Sequence, residues 1–110
     1  ITSGEELEKA KTRGLTLVDF GAPWCAPCRL QEPILRRVAA QYEGRVLIAA
    51  VNVDEFREVS SIQGIRSIPT LIFFKNGKEV QRFVGLQSEL TLSDALMELL
   101  DKGSPYGQAG

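Results

Sequence analysis

The only two thiols of this 110-residue chain lie three positions apart, in the run Trp24-Cys25-Ala26-Pro27-Cys28-Arg29. Three positions is nearly one helical turn, so at the start of a helix both sulfurs fall on the same side. A disulfide between them closes a very small ring. It restrains little of the unfolded chain and is a poor staple. A helix N-terminus offers unpaired backbone N–H groups and a partial positive charge, and both favour a thiolate over a thiol. Lowering a thiol pKa from its ordinary value of about 8.5 brings more nucleophile into play at neutral pH. The pair therefore suits opening and closing. Cys25, at the exposed tip where the helix donors point outward, is the expected nucleophile. Cys28, one turn in and expected to be more buried, is the resolving thiol. In this reading Cys25 attacks a partner's disulfide to form a mixed disulfide. Cys28 then displaces the partner, which leaves as a dithiol while Cys25–Cys28 becomes oxidised. The competing readings of C-x-x-C are half a metal site or two unrelated thiols. The tryptophan before the pair, the proline inside it, the strand ahead of it and the lack of further ligands argue against both.

Composition narrows the alternatives. There is no histidine, which excludes Cys-His and Ser-His hydrolases. Zinc would need four ligands, and two thiols supply half of them, so no metal is expected. The net charge is −1, from 13 basic and 14 acidic residues. That balance gives no electrostatic reason to expect nucleic acid or an anionic membrane as partner, and no apolar run approaches the roughly 18 residues of a membrane span. At this length, with 44% hydrophobic residues, the chain can bury a core without staples. One monomeric domain is expected over residues 1–103, with 104–110 a loose tail. The chain begins Ile1-Thr2-Ser3 and not with Met, so a processed or trimmed start is expected, with no signal peptide in view.

The elements that must hold the pair follow from periodicity. Ser3-Gly4-Glu5-Glu6 has the form of a capping box, for a helix burying Leu7 and Ala10 and ending at Gly14. Leu15 to Phe20 reads as a mostly apolar strand with one charge, Asp19, inside it. After the cysteine turn, Leu30, Ile34, Val38 and Tyr42 recur every four residues as the buried stripe of a helix, kinked by Pro33 and ending before Gly44. Val46 to Val53 is β-branched and apolar and reads as a strand buried on both faces. Asp54 would cap a short helix carrying Phe56, Val59 and Ile62 and closing at Gly64. Thr70 to Phe74 is a second buried strand, Asn76-Gly77 a tight hairpin turn and Val80 to Val84 the return strand. A last helix carries Leu92, Leu96, Leu99 and Leu100 and stops near Gly103 and Pro105. The order helix, strand, helix, strand, helix, hairpin, helix implies an α/β fold: one central mixed sheet with helices on both faces.

Asp19 carries its own argument. A charge within Leu15-Thr16-Leu17-Val18-Asp19-Phe20 is expensive to bury without a partner. Desolvation raises its pKa and makes it a usable proton acceptor near neutrality. The competing reading is an aspartate facing solvent at a strand edge.

The runs "LVDFGAPWCAPCRLQEPIL" and "IRSIPTLIFFKNGKEVQRFVG", in this order and at this separation, resemble the thioredoxin family, with similarity from about residue 5 to residue 101. The resemblance implies the thioredoxin fold and a protein-disulfide reductase with no bound cofactor. Its clients would be disulfide-containing proteins, and an NADPH-dependent flavoprotein, thioredoxin reductase, would recharge Cys25–Cys28. It places Asp19 beneath Cys28, helping to deprotonate it directly or through water. It makes the Ile68–Pro69 bond cis and sets it against the cysteine pair, where an incoming peptide could add to the Ile68 backbone as a strand. It also suggests Trp24, Pro27, Ile68, Pro69 and Gly85 as substrate contacts. Arg29 reads as a solvated charge that modestly assists the thiolate. The expected compartment is the cytoplasm, with an extracytoplasmic one left open.

The sequence also departs from the family pattern. Ala26 stands where many members have glycine, which narrows the freedom of the turn. Gly21 replaces a common aromatic and thins the packing by the active-site strand. Ala50 stands where a lysine often faces the buried aspartate, and its absence should lift the Asp19 pKa further. The family's opening strand is missing or cut to Ile1-Thr2. Two other functions compete with a general reductase: a specialised extracytoplasmic exchanger serving one client, and a binding subunit that uses the groove around Trp24 and Pro69 without its thiols.

Overall fold

The computed structural model describes residues 4–11 and 14–101. The elements run α1 (Gly4–Lys11), β1 (Leu15–Gly21), α2 (Ala26–Gln41), β2 (Leu47–Asn52), α3 (Arg57–Ile62), β3 (Thr70–Lys75), β4 (Lys78–Val84) and α4 (Glu89–Asp101). This is the expected order. The expected cap, Ser3, the expected tail, 104–110, and Gly103 all lie outside the described residues.

The four described strands form one mixed sheet in the order β2-β1-β3-β4. β1 is parallel to β2 and antiparallel to β3, which pairs antiparallel with β4. The α2 crossover explains the parallel pair, because a chain returning in the same direction needs a long connection. The β3–β4 hairpin explains the antiparallel pair. Asn76 and Gly77 both have positive φ, 53° and 88°, as a type I′ turn requires of its two central residues.

The two-residue period of a strand sorts the core. Leu15 and Leu17 of β1, with Leu71 and Phe73 of β3, pack against Leu35 and Val38 of α2 and Leu92, Leu96 and Leu99 of α4. Val18, Phe20, Ile72 and Phe74 point to the opposite face, where Leu7 of α1 and Val59 of α3 meet them. Burying each such side chain contributes about 1.5–3 kcal/mol. Asp19 shares the parity of Leu15 and Leu17, so it projects toward the α2 face.

Three expectations change. Leu30 is 59% exposed, and the buried residues of α2 are Cys28, Gln31, Leu35 and Val38, with Tyr42 just beyond. The 3.6-residue period turns the stripe away from a strict four-residue repeat, and a polar residue takes the place given to a leucine. β2 is not buried on both faces. Its only buried residue is Val51, because among the described strands it is an edge and no neighbour covers its outer side. α3 begins at Arg57 with Phe56 at its N-cap and no side-chain cap, and Ile62 is 74% exposed.

Gln31 is fully buried, and its amide closes a two-bond ring with one backbone residue. Its Nε2 donates to the Gln87 carbonyl at 3.0 Å, and its Oε1 accepts from the Gln87 N–H at 2.7 Å. These bonds tie the middle of α2 to the β4–α4 loop. A buried polar group needs such partners, and removing one side leaves the other unsatisfied. Gln31→Ala should therefore destabilise the oxidised protein by about 2–4 kcal/mol, combining unpaired Gln87 groups with a cavity. Urea unfolding at neutral pH measures this, and a loss below about 0.5 kcal/mol would rule out the bridge as a structural tie.

Candidate active site

β1 ends at Gly21, and the chain turns sharply into α2. The turn is closed by the Cys25 N–H donating to the Ala22 carbonyl at 3.2 Å and the Arg29 N–H to the Cys25 carbonyl at 3.1 Å. Cys25 is the N-cap of α2, and its Sγ accepts the Cys28 N–H at 3.3 Å. Sulfur thus takes the place usually held by a serine or aspartate oxygen, on a backbone donor that the helix cannot satisfy itself. Pro27 falls in the first turn, where a missing N–H costs nothing. The two sulfurs are joined as a disulfide, with their Cα atoms 5.2 Å apart.

Exposure does not rank the two cysteines as expected. Cys25 is 6% and Cys28 8% exposed, because the cis-proline loop covers the first as the sheet covers the second. Surroundings distinguish them instead. Cys25 Sγ lies 3.8 Å from the Ile68 carbonyl oxygen. Cys28 Sγ sits over Gly21, where an added Cβ would come within 3.1 Å of it. Gly21 opens the wall of a cleft, as its small size suggested, yet the space directly above its Cα is already taken by sulfur.

That cleft has a volume of about 460 Å³, and Asp19, Gly21, Cys28, Arg29, Glu32 and Ala50 are among its lining residues. Asp19 is 9% exposed on a central strand, not at an edge, and its Oδ1 has no hydrogen-bond partner among the described residues. Burial first, and the Glu32 carboxylate second, push its pKa up to about 6. Ala50 is the register partner of Asp19 on β2, so an apolar methyl faces the aspartate there.

The remaining expected site residues gather on the other side of the disulfide. The Ile68–Pro69 bond is cis. Ile68 packs on the small cluster of Ala22, Cys25 and Cys28. The Pro69 carbonyl accepts the Gly85 N–H at 2.8 Å, which draws the β4 end to the same loop. Trp24 is 67% exposed, and its indole Nε1 donates to Asp54 at 2.6 Å. Asp54 therefore holds the tryptophan instead of capping a helix, and its own N–H donates to Asn52 Oδ1. Pro27 is exposed beside the pair. Arg29 is tied to the Pro23 carbonyl at 2.9 Å, so it braces the turn. Sequence reasoning missed Asp54 as a tether and Glu32 as a lining residue. Glu32 lies four residues after Cys28, and that helical spacing was the available signal.

A family model for thioredoxin matches residues 4–98. The chain belongs to the thioredoxin family. Thioredoxin 1 of Nostoc sp. is 51% identical over 80 residues, covering 73% of this chain and 75% of that one. Thioredoxin of Chlamydia caviae is 40% identical over 104 residues, covering 94% and 97%. The structure of a mutant thioredoxin from Halobacterium salinarum superimposes with a TM-score of 0.84 at 33% identity, covering 91% of this chain and 88% of that one. The fold is the thioredoxin fold, a four-stranded mixed sheet flanked by helices. This thioredoxin-family protein is a thiol–disulfide oxidoreductase acting on disulfide-bearing client proteins, and its redox-active group is the Cys25–Cys28 disulfide.

The elevated Asp19 pKa fixes the sign of a stability change. The folded value, about 6, lies above the ordinary 3.8, so between these values the folded state binds more protons than the unfolded one. Stability therefore falls as pH rises from about 4 to 6 and stays lowered above. Two pH units at about 1.36 kcal/mol each set an upper figure of roughly 3 kcal/mol. Asp19→Asn should match the parent near pH 4 and exceed its stability by about 2–3 kcal/mol at pH 8. Urea unfolding of the oxidised forms at both pH values decides this, and parallel profiles would disprove it.

Proposed function

We propose that this protein is a general protein-disulfide reductase in which Cys25 attacks, Cys28 resolves and Asp19 serves as base. The observation that carries the reading is the Cys28 N–H pointing at Cys25 Sγ across the first turn of α2 at 3.3 Å. A donor aimed at one sulfur favours negative charge on that sulfur, and the helix end adds to it. Cys25 then attacks the client disulfide, and the client's first sulfur leaves as a thiolate. Cys28 gives its proton to the Asp19 carboxylate across the cleft that both line. Its thiolate attacks Cys25 Sγ, the mixed disulfide breaks, and the client departs with its second sulfur reduced. Two electrons have passed to the client, and Cys25–Cys28 is oxidised.

Substrate contact falls to Trp24, Pro27, Ile68, Pro69 and Gly85. The partly buried Ile68 beside Cys25 and the exposed indole held by Asp54 support a client strand lying across the disulfide. Recharging falls to an NADPH-dependent flavoprotein reductase, which would meet the same face. A chain whose whole cysteine content is one exchangeable pair suits a compartment that keeps thiols reduced, hence the cytoplasm, and no feature of the site requires a second copy of the chain.

Cys25→Ser should abolish insulin-disulfide reduction by at least about 10³-fold, because it removes the nucleophile itself. Cys28→Ser should instead accumulate a covalent Cys25–client adduct, visible by mass spectrometry and released by dithiothreitol. An adduct formed on position 28 in Cys25→Ser, with none on position 25 in Cys28→Ser, would reverse the assignment.

A further inference from the structure

Glu32 has no part in the scheme above, yet it stands beside the group that receives the proton. It lies on α2 one turn after Cys28 and lines the cleft shared by Cys28 and Asp19. A second cleft, of about 250 Å³, is also lined by Asp19, Glu32 and Ala50. Glu32 therefore borders both openings that reach the buried carboxylate. Asp19 Oδ1 is buried and makes no hydrogen bond among the described residues, so no partner of that oxygen holds its charge, and a charge acting through the cleft adds to the effect of burial.

The charged groups around Asp19 can be taken element by element. From α2, Arg29, Glu32 and Arg36 line one cleft or the other. Arg29 is turned to the Pro23 carbonyl. Arg36 pairs with Glu32 one turn further on, with both side chains largely in solvent, where such a pair is screened and weak. From β2 the lining residues are Ile48, Ala49, Ala50, Val51 and Asn52, none charged. From β3 the register partner of Asp19 is Leu71. Among the described residues, no cation of the sheet lines either cleft to offset Glu32.

We propose that Glu32 is a positioning residue for the resolving step, its carboxylate acting on Asp19 through the cleft and setting how readily Asp19 takes the Cys28 proton. This rests on Asp19 being the base for Cys28. The bonds and protons are those of the resolving step already described. The Cys28 proton moves to Asp19, the thiolate pair forms the Cys25–Cys28 bond, and the Cys25–client bond breaks with its pair on the client sulfur, which takes a proton from solvent. Asp19 afterwards returns its proton to solvent through the cleft that Glu32 borders. A negative neighbour strengthens the first transfer and slows the return, so Glu32 sets the pH at which the cycle runs best. The same charge contributes, after burial, to the elevated pKa of Asp19.

The test compares Glu32→Gln, Glu32→Asp, Ala50→Lys and Asp19→Asn in the full chain. The readouts are ¹³C NMR titration of the Asp19 carboxyl in the oxidised protein and the pH profile of insulin reduction. Glu32→Gln should lower the Asp19 midpoint by about half a pH unit, the size expected of one screened charge at close range. The acid limb of the rate profile should move the same way. Glu32→Asp should restore most of the shift. Ala50→Lys, which places a cation opposite Asp19, should act in the same direction as Glu32→Gln. A purely structural role for Glu32 would leave both midpoints in place. If Asp19→Asn abolishes the acid limb and Glu32→Gln leaves the Asp19 midpoint unmoved, this inference fails alone. If the limb survives Asp19→Asn, the base assignment fails and takes this inference with it.

Discussion

The contact from the Cys28 N–H to Cys25 Sγ is short-range, but the rest of the architecture serves it. A helix N-terminus can polarise a sulfur only if the helix starts at that residue, and α2 starts at Ala26 because the turn from β1 is closed by backbone bonds from Cys25 and Arg29. The turn is held in turn by β1, buried along its whole length between β2 and β3. Gln31 then anchors the inner side of α2 to the β4–α4 loop, so the helix axis cannot drift relative to Gly85 and Pro69. Each layer of packing reduces the freedom of one donor relative to one sulfur, as preorganisation requires.

The carboxylate beneath the pair shows the opposite economy. A buried aspartate on a central strand, its Oδ1 without a partner among the described residues, lowers stability at neutral pH. The fold tolerates it because Leu15, Leu17, Leu71 and Phe73, on the same face, are fully packed against α2 and α4. The cleft at Gly21 also keeps the aspartate in reach of solvent. A larger residue at position 21 would crowd Cys28 Sγ, because an added Cβ would stand 3.1 Å from it. On the proposed mechanism, that loss of stability at neutral pH falls on the very group taken to accept the Cys28 proton, Asp19.

Much of this was legible in the sequence, for identifiable reasons. The apolar runs Leu15–Phe20 and Thr70–Phe74, the Asn-Gly turn and the C-x-x-C at a strand-to-helix junction are local signals, and local geometry enforces them. The cis Ile68–Pro69 bond came through resemblance alone, because no local rule separates it from a trans bond. The misreadings arose where neighbours decide. Val46–Val53 is as apolar as an inner strand, but its exposure depends on what lies beyond it in the sheet. Leu30 and Gln31 exchange places because α2 rotates its stripe by a fraction of a turn, and a buried glutamine is acceptable only when Gln87 presents both a donor and an acceptor. Asp54 looks like a cap in sequence and instead receives the Trp24 indole from thirty residues earlier.

The disulfide therefore has two unlike sides. On one, Cys25 faces the Ile68 carbonyl, with Pro69 tied to Gly85 and the Trp24 indole held at the rim. These are backbone edges and apolar surface, suited to an extended peptide. On the other, Cys28 faces Gly21 and a cleft that holds Asp19 and Glu32, suited to moving a proton. The three-residue spacing makes this division possible. Cys25, the N-cap, stands at the mouth of the helix, while Cys28, within the first turn, sits over the sheet. A shorter spacing would put the two sulfurs on different sides of the helix. Two bonds must be exchanged in sequence, one with a bulky protein and one within the chain. Separating them across the first turn of a helix lets each meet the surroundings that its own step needs.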